Sequence, residues 1–459
     1  MSAAVPGPAL TAEQLRRLGQ AESDRPTLET LTAAQHTKRL LLLRLLFDAL
    51  PAAGDGTAGA LAREHADLLV AAERADPERA RPALFYPLVG PWLEAWLRRG
   101  ADAEARAGLG GLAVAAAART GLRFTTRVPV AGGYLTLPAL GGLWVGRPAT
   151  VTARGDGERL VLRGDDGEAV TLVRSADGSG AWRADDARWL PLRPLPGGPG
   201  TVYLDHAAPP ALTGERQRPL SPEGHVAAEH ARWAALWRGA LPLLRAAGPQ
   251  RYAALRLLTC VVPLRAGRAG DHKAGTSPQS FGAVMMRRPA GPQALAETLT
   301  HEVQHAKLGA LSDLAPLHEA DDRARFWAPW RPDPRPFDGL LHGVYAHLEL
   351  ADFWHRLAAA DAAGREQAWQ RHARYWAMVD AALPQVRHED RLTDAGQIFV
   401  GALVERHAGL GETPVPARHR AEAAEFVARV RAAWPGPAPG TSAPGPGRAP
   451  RTSRNGRRP

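Results

Sequence analysis

The sequence predicts an α+β protein, mostly helical, with a small antiparallel β-sheet inserted and a metal-binding helix in its C-terminal half. Three observations predict this. Leucine-rich stretches fill residues 11–122, and Asp-Gly turns between short β-branched runs crowd the segment after them. Further on, "LTHEVQHAKLGAL" (299–311) sets two histidines four residues apart, shortly after a helix-starting proline.

The N-terminal region, 1–125, reads as helical. "TLETLTAAQHTKRLLLLRLLFDAL" (27–50) carries leucines on more than one face, as a helix in a helical core does. Its run "RLLLLRLLFDAL" is too short for a membrane span and is interrupted by Arg44, so it reads as a buried helix. "GPWLEAWLRRGADAEARAGLGGLAVAAAARTG" (90–121) continues the pattern, with Gly110 and Gly111 as an expected break. From 126 to 210 the period changes. Asp156-Gly157, Asp166-Gly167 and Asp177-Gly178 separate short alternating runs, the strongest local signal for hairpins. Helices return in 211–435, where "YAALRLLTCVVPLRAG" is expected to end in a strand and "SFGAVMMRRP" (280–289) to form another, stopped by Pro289. Pro292 then suits the first turn of the helix that carries the histidines.

Composition narrows the function. The chain has 459 residues, 45% hydrophobic and 23% charged, which suits a globular protein of two or three domains. Half of its net charge of +10 sits on five arginines in "GPAPGTSAPGPGRAPRTSRNGRRP", a Pro/Gly/Ser-rich basic tail (436–459) expected to be disordered. The rest is too dispersed to suggest a nucleic-acid face. A single cysteine, Cys260, rules out an intramolecular disulfide and any cysteine-ligated cluster. The N-terminus shows no basic segment followed by an apolar one. The expectation is a cytoplasmic protein with neither a membrane nor a nucleic acid as partner.

The histidine pair carries the chemistry. On a helix, His301 and His305 lie one turn apart on one face and can present imidazoles to one ion. Glu302 stands where a zinc peptidase keeps its general base. The peptidase pattern with a third histidine six residues on would need one at 311, where Leu311 stands. The alternative peptidase solution, a glutamate on a later helix, has Glu349 as its candidate, with His342 and His347 as competitors. These two histidines are five residues apart, so one helix cannot aim both at the same point. Before them, "FWAPWRPDPRPFDG" places Arg331 and Arg335 on a Pro-rich turn. Such arginines suit bidentate binding of a carboxylate, or else pair with Asp333 or Asp338 and order the loop.

"HEVQHAKLGAL", "APWRPDPRP" and "GLLHGVYAHLELADFW", in this order, resemble the actinobacterial HEXXH-motif proteins of ribosomal-peptide maturation clusters. The resemblance extends to "AAQHTKRLLLLRLL" and "SFGAVMMRRP" and covers most of the chain except the tail. It implies an Fe(II)- and α-ketoglutarate (2-oxoglutarate)-dependent peptide β-hydroxylase, a dioxygenase acting on a ribosomal precursor peptide. Any radical SAM maturase would be a separate partner chain, since no cysteine triplet exists here. It further implies iron held by His301, His305 and a third ligand, with His347 ahead of His342 and Glu349. The far carboxylate of α-ketoglutarate falls to Arg331 first and Arg335 second, with Lys307, one of three lysines, assisting. Glu302 would then orient a ligand or bound water. The edge of "SFGAVMM" offers itself to an extended peptide, although a plain core strand is the simpler expectation. Two other readings stay open: a Zn(II)-dependent endopeptidase acting on a leader peptide, with Glu302 as base and Glu349 as third ligand, and a non-catalytic precursor-binding module.

Overall fold

The computed structural model describes residues 10–50, 56–100, 103–130, 132–147, 149–175, 181–207, 226–264, 274–360 and 364–436. The basic tail from 437 onward and the Asp177-Gly178 turn lie outside these. The described residues form a mostly helical α+β protein.

The N-terminal helices are α1 (Ala12–Gly19), α2 (Arg25–Asp48), α3 (Gly56–Ala75), α4 (Pro77–Leu84), α5 (Val89–Arg99) and α6 (Ala103–Thr120). Their starts are written in the sequence. Thr11 and Gln14 form a reciprocal capping box on α1, and the Asp24 carboxylate accepts the Thr27 N–H on α2. Two expectations fail here. α6 runs unbroken through Gly110 and Gly111. A Cβ at Gly110 would crowd His65 and Val128, and one at Gly111 would overlap the Thr136 carbonyl. These glycines let neighbours approach closely; they do not end the helix. Nor is α2 buried all round: Leu28, Leu31, Leu43 and Leu46 are buried, whereas Leu41 is 61% exposed, with Leu40 and Leu45 also exposed.

Strands follow. β1 (Arg123–Val130), β4 (Ala149–Asp156), β5 (Arg159–Gly164), β6 (Ala169–Arg174) and β7 (Trp182–Arg183) form one antiparallel sheet in the order β1-β4-β5-β6-β7. Asp156-Gly157 and Asp166-Gly167 make its turns, with Asp156 Oδ1 accepting the N–H groups of Glu158 and Arg159. β2 (Tyr134–Leu137), β3 (Gly141–Trp144) and β8 (Trp189–Pro191) make a second, smaller sheet. The third was legible only in part: strands form where expected in "YAALRLLTCVVPLRAG" and within 280–289, but their partners were not foreseen. β9 (Arg193–Leu195) and β10 (Val202–Leu204) leave the hairpin region to join β11 (Cys260–Leu264), β12 (Ala274–Gly275) and β13 (Ala283–Arg287) in the order β12-β13-β11-β10-β9. β11 is parallel to both β10 and β13, so this sheet is mixed and links the β-rich and C-terminal regions. β13 is flanked on both sides, by β11 and β12. β12 covers that edge beside Met285 and Met286, and Ala283 to Met286 are buried, as in a plain core strand.

The C-terminal half is built from α7 (Val226–Ala246), α8 (Pro249–Ala254), α9 (Pro292–Leu314), α10 (Phe337–Ala360), α11 (Arg365–Arg387), α12 (Asp394–Gly411) and α13 (Ala417–Ala432). α9 has Pro292 in its first turn, as expected. Leu295, Leu299 and Val303 on α9 enter the core over the mixed sheet, beside Trp237 and Phe353. Leu308 and Leu311, a turn or two later, enter the core made with α1, α10 and α12. Each such buried leucine contributes about 2 kcal/mol. With both ends of α9 fixed in separate cores, its middle has little freedom to rotate, and the two histidines sit there. Among the described residues no helix is long and apolar enough to cross a membrane.

Candidate metal centre

α9 and α10 pack side by side and set four imidazoles in a row. His305 Nε2 lies 3.0 Å from His301 Nε2, and His305 Nδ1 lies 3.1 Å from His342 Nδ1. At the other end the His347 ring stands edge-on to His301, with centroids 5.2 Å apart. The row thus runs His342–His305–His301–His347. The five-residue spacing on α10 does what helical geometry demands: His342 and His347 meet different partners instead of one point.

Each ring is held from outside. His347 Nδ1 hydrogen-bonds the Gly343 carbonyl at 2.7 Å, which places its proton on Nδ1 and leaves Nε2 as a lone-pair donor. Trp330 stacks on its face, with centroids 4.4 Å apart and planes within 17°. A Cβ at Gly343 would overlap the Trp330 ring, so only glycine at that position lets the tryptophan lie down. Tyr375 of α11 closes a further side, 5.6 Å from the His347 ring. One turn before His301 on the same face of α9, Glu297 accepts Tyr375 Oη–H at 2.6 Å and Trp354 Nε1–H at 3.2 Å and pairs with Arg371. It braces α9 against both neighbouring helices.

Burial sets the protonation. It pushes His301 down to about 4 and His347 to about 3, the latter with help from the nearby His301. His305 and His342 are likewise pushed down by burial, with Arg335 adding to the effect at both. All four are therefore neutral near pH 7 and offer lone pairs. Glu302, 4% exposed, is pushed by burial up to about 7 even though Thr276, next to β12, donates a hydrogen bond to its Oε2 at 3.1 Å.

Among the described residues no three His, Cys, Asp or Glu side chains are drawn together tightly enough to close around a metal ion. The chemistry of the donors nonetheless suits one. Neutral imidazoles are preferred ligands of divalent iron and zinc, and His301 Nδ1 is buried with no hydrogen-bond partner. Two nitrogens about 2.1 Å from one ion and near a right angle to each other have the spacing that the two Nε2 atoms show. In the metal-free protein that contact is a hydrogen bond between the rings.

The remaining candidates separate. Arg335 reaches the row: its charge acts on His305, His342 and Asp338, and its Nε is buried without a partner. Its position is fixed by the backbone, where Phe326 and Arg335 exchange both N–H···O bonds at 2.9 Å. Arg331 pairs with Asp333 at 3.0 Å, a carboxylate that Arg335 approaches only to 4.0 Å. Lys307 points away, donating to the Ala21 carbonyl at 3.3 Å, and burial lowers it to about 8. Glu349 is taken up in a buried ion cluster, with Arg251 Nε 2.8 Å from its Oε1. Two residues beyond His347 on a helix, it faces a different side. Sequence reasoning gave Trp330, Tyr375, Glu297, Thr276, His318 and Asp338 no part in the site. Two of these had a signal in their spacing: Glu297 precedes His301 by four residues, and Asp338 precedes His342 by four.

No protein-family model matches the chain, and no curated protein matches it.

Proposed function

We propose that this protein is an Fe(II)- and α-ketoglutarate-dependent dioxygenase that hydroxylates a side-chain β-carbon of a ribosomally made peptide. The observation that carries the reading is the row of buried, neutral imidazoles flanked by an arginine with a buried, unpartnered Nε. His301, His305 and His347 would hold the iron, and Arg335 is better supported than Arg331 for the far carboxylate of α-ketoglutarate. Bound iron and α-ketoglutarate would supply oxidising power: α-ketoglutarate becomes succinate and carbon dioxide, with one atom of dioxygen entering the succinate carboxylate and the other inserted into a C–H bond to give C–OH.

The chain's own residues position and enclose. Gly343 holds the His347 tautomer through its carbonyl. Trp330 and Tyr375 cover His347 and exclude water from that side. Glu302, with Thr276 on its carboxyl, sits one residue from His301 and would orient a water or ligand beside the centre.

One observation favours a zinc endopeptidase instead. The Glu302 carboxyl at about 7 has the basicity of a working general base. Against it, Glu349, the carboxylate that such an enzyme would use as third ligand, is engaged by Arg251. Anaerobic loading with Fe(II), followed by oxygen, α-ketoglutarate and a candidate precursor peptide, tests the choice. The oxygenase reading expects succinate in step with a peptide heavier by one oxygen atom, lost in His305→Ala. Peptide cleavage with Zn(II), dependent on Glu302 and without succinate, would replace it.

A further inference from the structure

A row of polar side chains, His318, Asp338 and His342, leads from the surface to His305, and the Asp338 carboxylate orients the rings beside it. It begins at His318, in the segment between α9 and α10. The Ala320 N–H donates to His318 Nδ1 at 3.2 Å, so the proton of that ring is on Nε2. His318 Nε2 lies 3.5 Å from Asp338 Oδ1, and His342 Nε2 approaches the same oxygen to 3.9 Å. A carboxylate only accepts. At 3.9 Å this is a charge contact and not a hydrogen bond, but the carboxylate favours the His342 tautomer whose N–H is on the Nε2 that faces it, and His342 Nδ1 is then left as an acceptor. The group on that acceptor is His305 Nδ1, at 3.1 Å, which must donate. His305 is thereby fixed with its proton on Nδ1 and its lone pair on Nε2, the atom that faces His301.

From this we infer that His342 and Asp338 are positioning residues: they set the tautomer and ring orientation of His305 so that Nε2 is the atom presented at the centre, and His342 is not itself a ligand. The inference rests on the reading of the row as a metal site, and it sorts the two α10 histidines by role. His347 takes its tautomer from a backbone carbonyl one turn away. His305, whose own helix gives it no such partner among the described hydrogen bonds, takes its tautomer from an imidazole backed by a carboxylate. The spacing serves this. Asp338 and His342 lie one turn apart on α10, so one helix face delivers both links. Phe337 packs edge-on against the His318 ring, with centroids 4.8 Å apart, and steadies the outer end.

Three variants test this. His342→Asn keeps an acceptor close to the position of Nδ1, His342→Phe keeps a ring and removes both nitrogens, and Asp338→Ala removes the carboxylate from the half-exposed outer end. The first readout needs no metal: long-range nitrogen–proton correlation spectra of the metal-free protein report which nitrogen of His305 carries the proton. The expected result is Nδ1–H in the wild type and in His342→Asn, and loss of that preference in His342→Phe and Asp338→Ala. The second readout is the affinity for Co(II), with its absorption spectrum. His342→Phe should weaken binding roughly 10- to 100-fold, the usual cost of losing a group that orients a ligand, with the spectral form unchanged, and His342→Asn should restore most of it. An Nε2–H tautomer of His305 in the wild type would overturn the inference. So would a Co(II) spectrum that loses a nitrogen ligand equally in both His342 variants. Circular dichroism of each variant separates misfolding from these outcomes, and Asp338→Ala, altered at the surface, carries the test if His342→Phe does not fold. Should the wild type bind no divalent ion, the metal reading fails while the tautomer measurement still decides the orientation of His305.

Discussion

His301 Nε2 and His305 Nε2 face each other at 3.0 Å from successive turns of one helix whose two ends are clamped in different cores. Among the described residues neither ring has a carboxylate in contact to charge it, and burial holds both neutral. The two ring nitrogens that a metal would take are thus already held at one place, sharing one proton between them. Replacing either histidine by alanine should weaken Fe(II) or Co(II) binding by at least 100-fold while leaving the helical content intact. Calorimetric titration of the metal-free protein checks this, and unchanged affinity in either variant would remove the metal centre.

Trp330 and Gly343 form a second dependence. The tryptophan lies on the His347 face only because position 343 has no side chain. Gly343→Ala should displace it and destabilise the fold by about 1–3 kcal/mol, the usual cost of overpacking. Trp330→Ala should cost roughly 2 kcal/mol, less than for a fully buried tryptophan, and should let water reach His347. Denaturant unfolding gives both stabilities. A Gly343→Ala protein as stable as the wild type would mean that the loop yields freely.

Arg335 and Arg331 should behave differently. Arg335 is held by the Phe326 backbone pairing and acts on the histidines, whereas Arg331 is occupied by Asp333. With succinate as the readout, Arg335→Ala should raise the KM for α-ketoglutarate by 10-fold or more, corresponding to about 1.4 kcal/mol, and Arg331→Ala should change it little. The reverse order would return the role to the arginine that sequence alone favoured.

Acid should loosen the molecule through Asp352. Burial raises its carboxyl, but Arg251 and Arg406, with hydrogen bonds from Arg251 and Arg356, outweigh burial and hold it at about 2. Because its folded value lies below the unfolded one, the stabilisation is complete above the ordinary 3.8 and is lost as pH falls from there toward 2. The amount is about 2–3 kcal/mol. Asp352→Asn should cost roughly 3–5 kcal/mol at neutral pH, because the buried Arg251 and the mostly buried Arg406 lose their shared partner, and should flatten stability against pH between 4 and 2. Unfolding curves across that range measure both effects.

Much of the local structure was legible because it is decided locally. The Asp156-Gly157 and Asp166-Gly167 turns and Pro292 each satisfy or withhold specific backbone groups, so they mark ends and corners without knowledge of the rest. Two strands of the mixed sheet, β11 and β13, were legible, but their pairing was not. β10 pairs with β11 across more than fifty residues of chain, and no local pattern encodes a partner that distant. Gly110 and Gly111 misled for the same reason, since what they accommodate is His65, Val128 and the Thr136 carbonyl, all remote in sequence. Within the site, His301 and His305 were evident from helical spacing alone. The opposite duties of His342 and His347 were not, because they depend on what lies behind each ring: Asp338 for one, the Gly343 carbonyl and Trp330 for the other. Lys307 was singled out for rarity, yet rarity does not tell which face of a helix a residue occupies.

The central claim is that oxygen from dioxygen enters the peptide. The most direct measurement is therefore the source of the added oxygen, with isotope-labelled dioxygen in ordinary water and the converse pairing, analysed by mass spectrometry of the peptide product. The account predicts that the label from dioxygen appears in an intact, hydroxylated peptide and in succinate. Label entering only from water, in a new carboxyl group at a cleaved bond, would contradict it and identify a hydrolase.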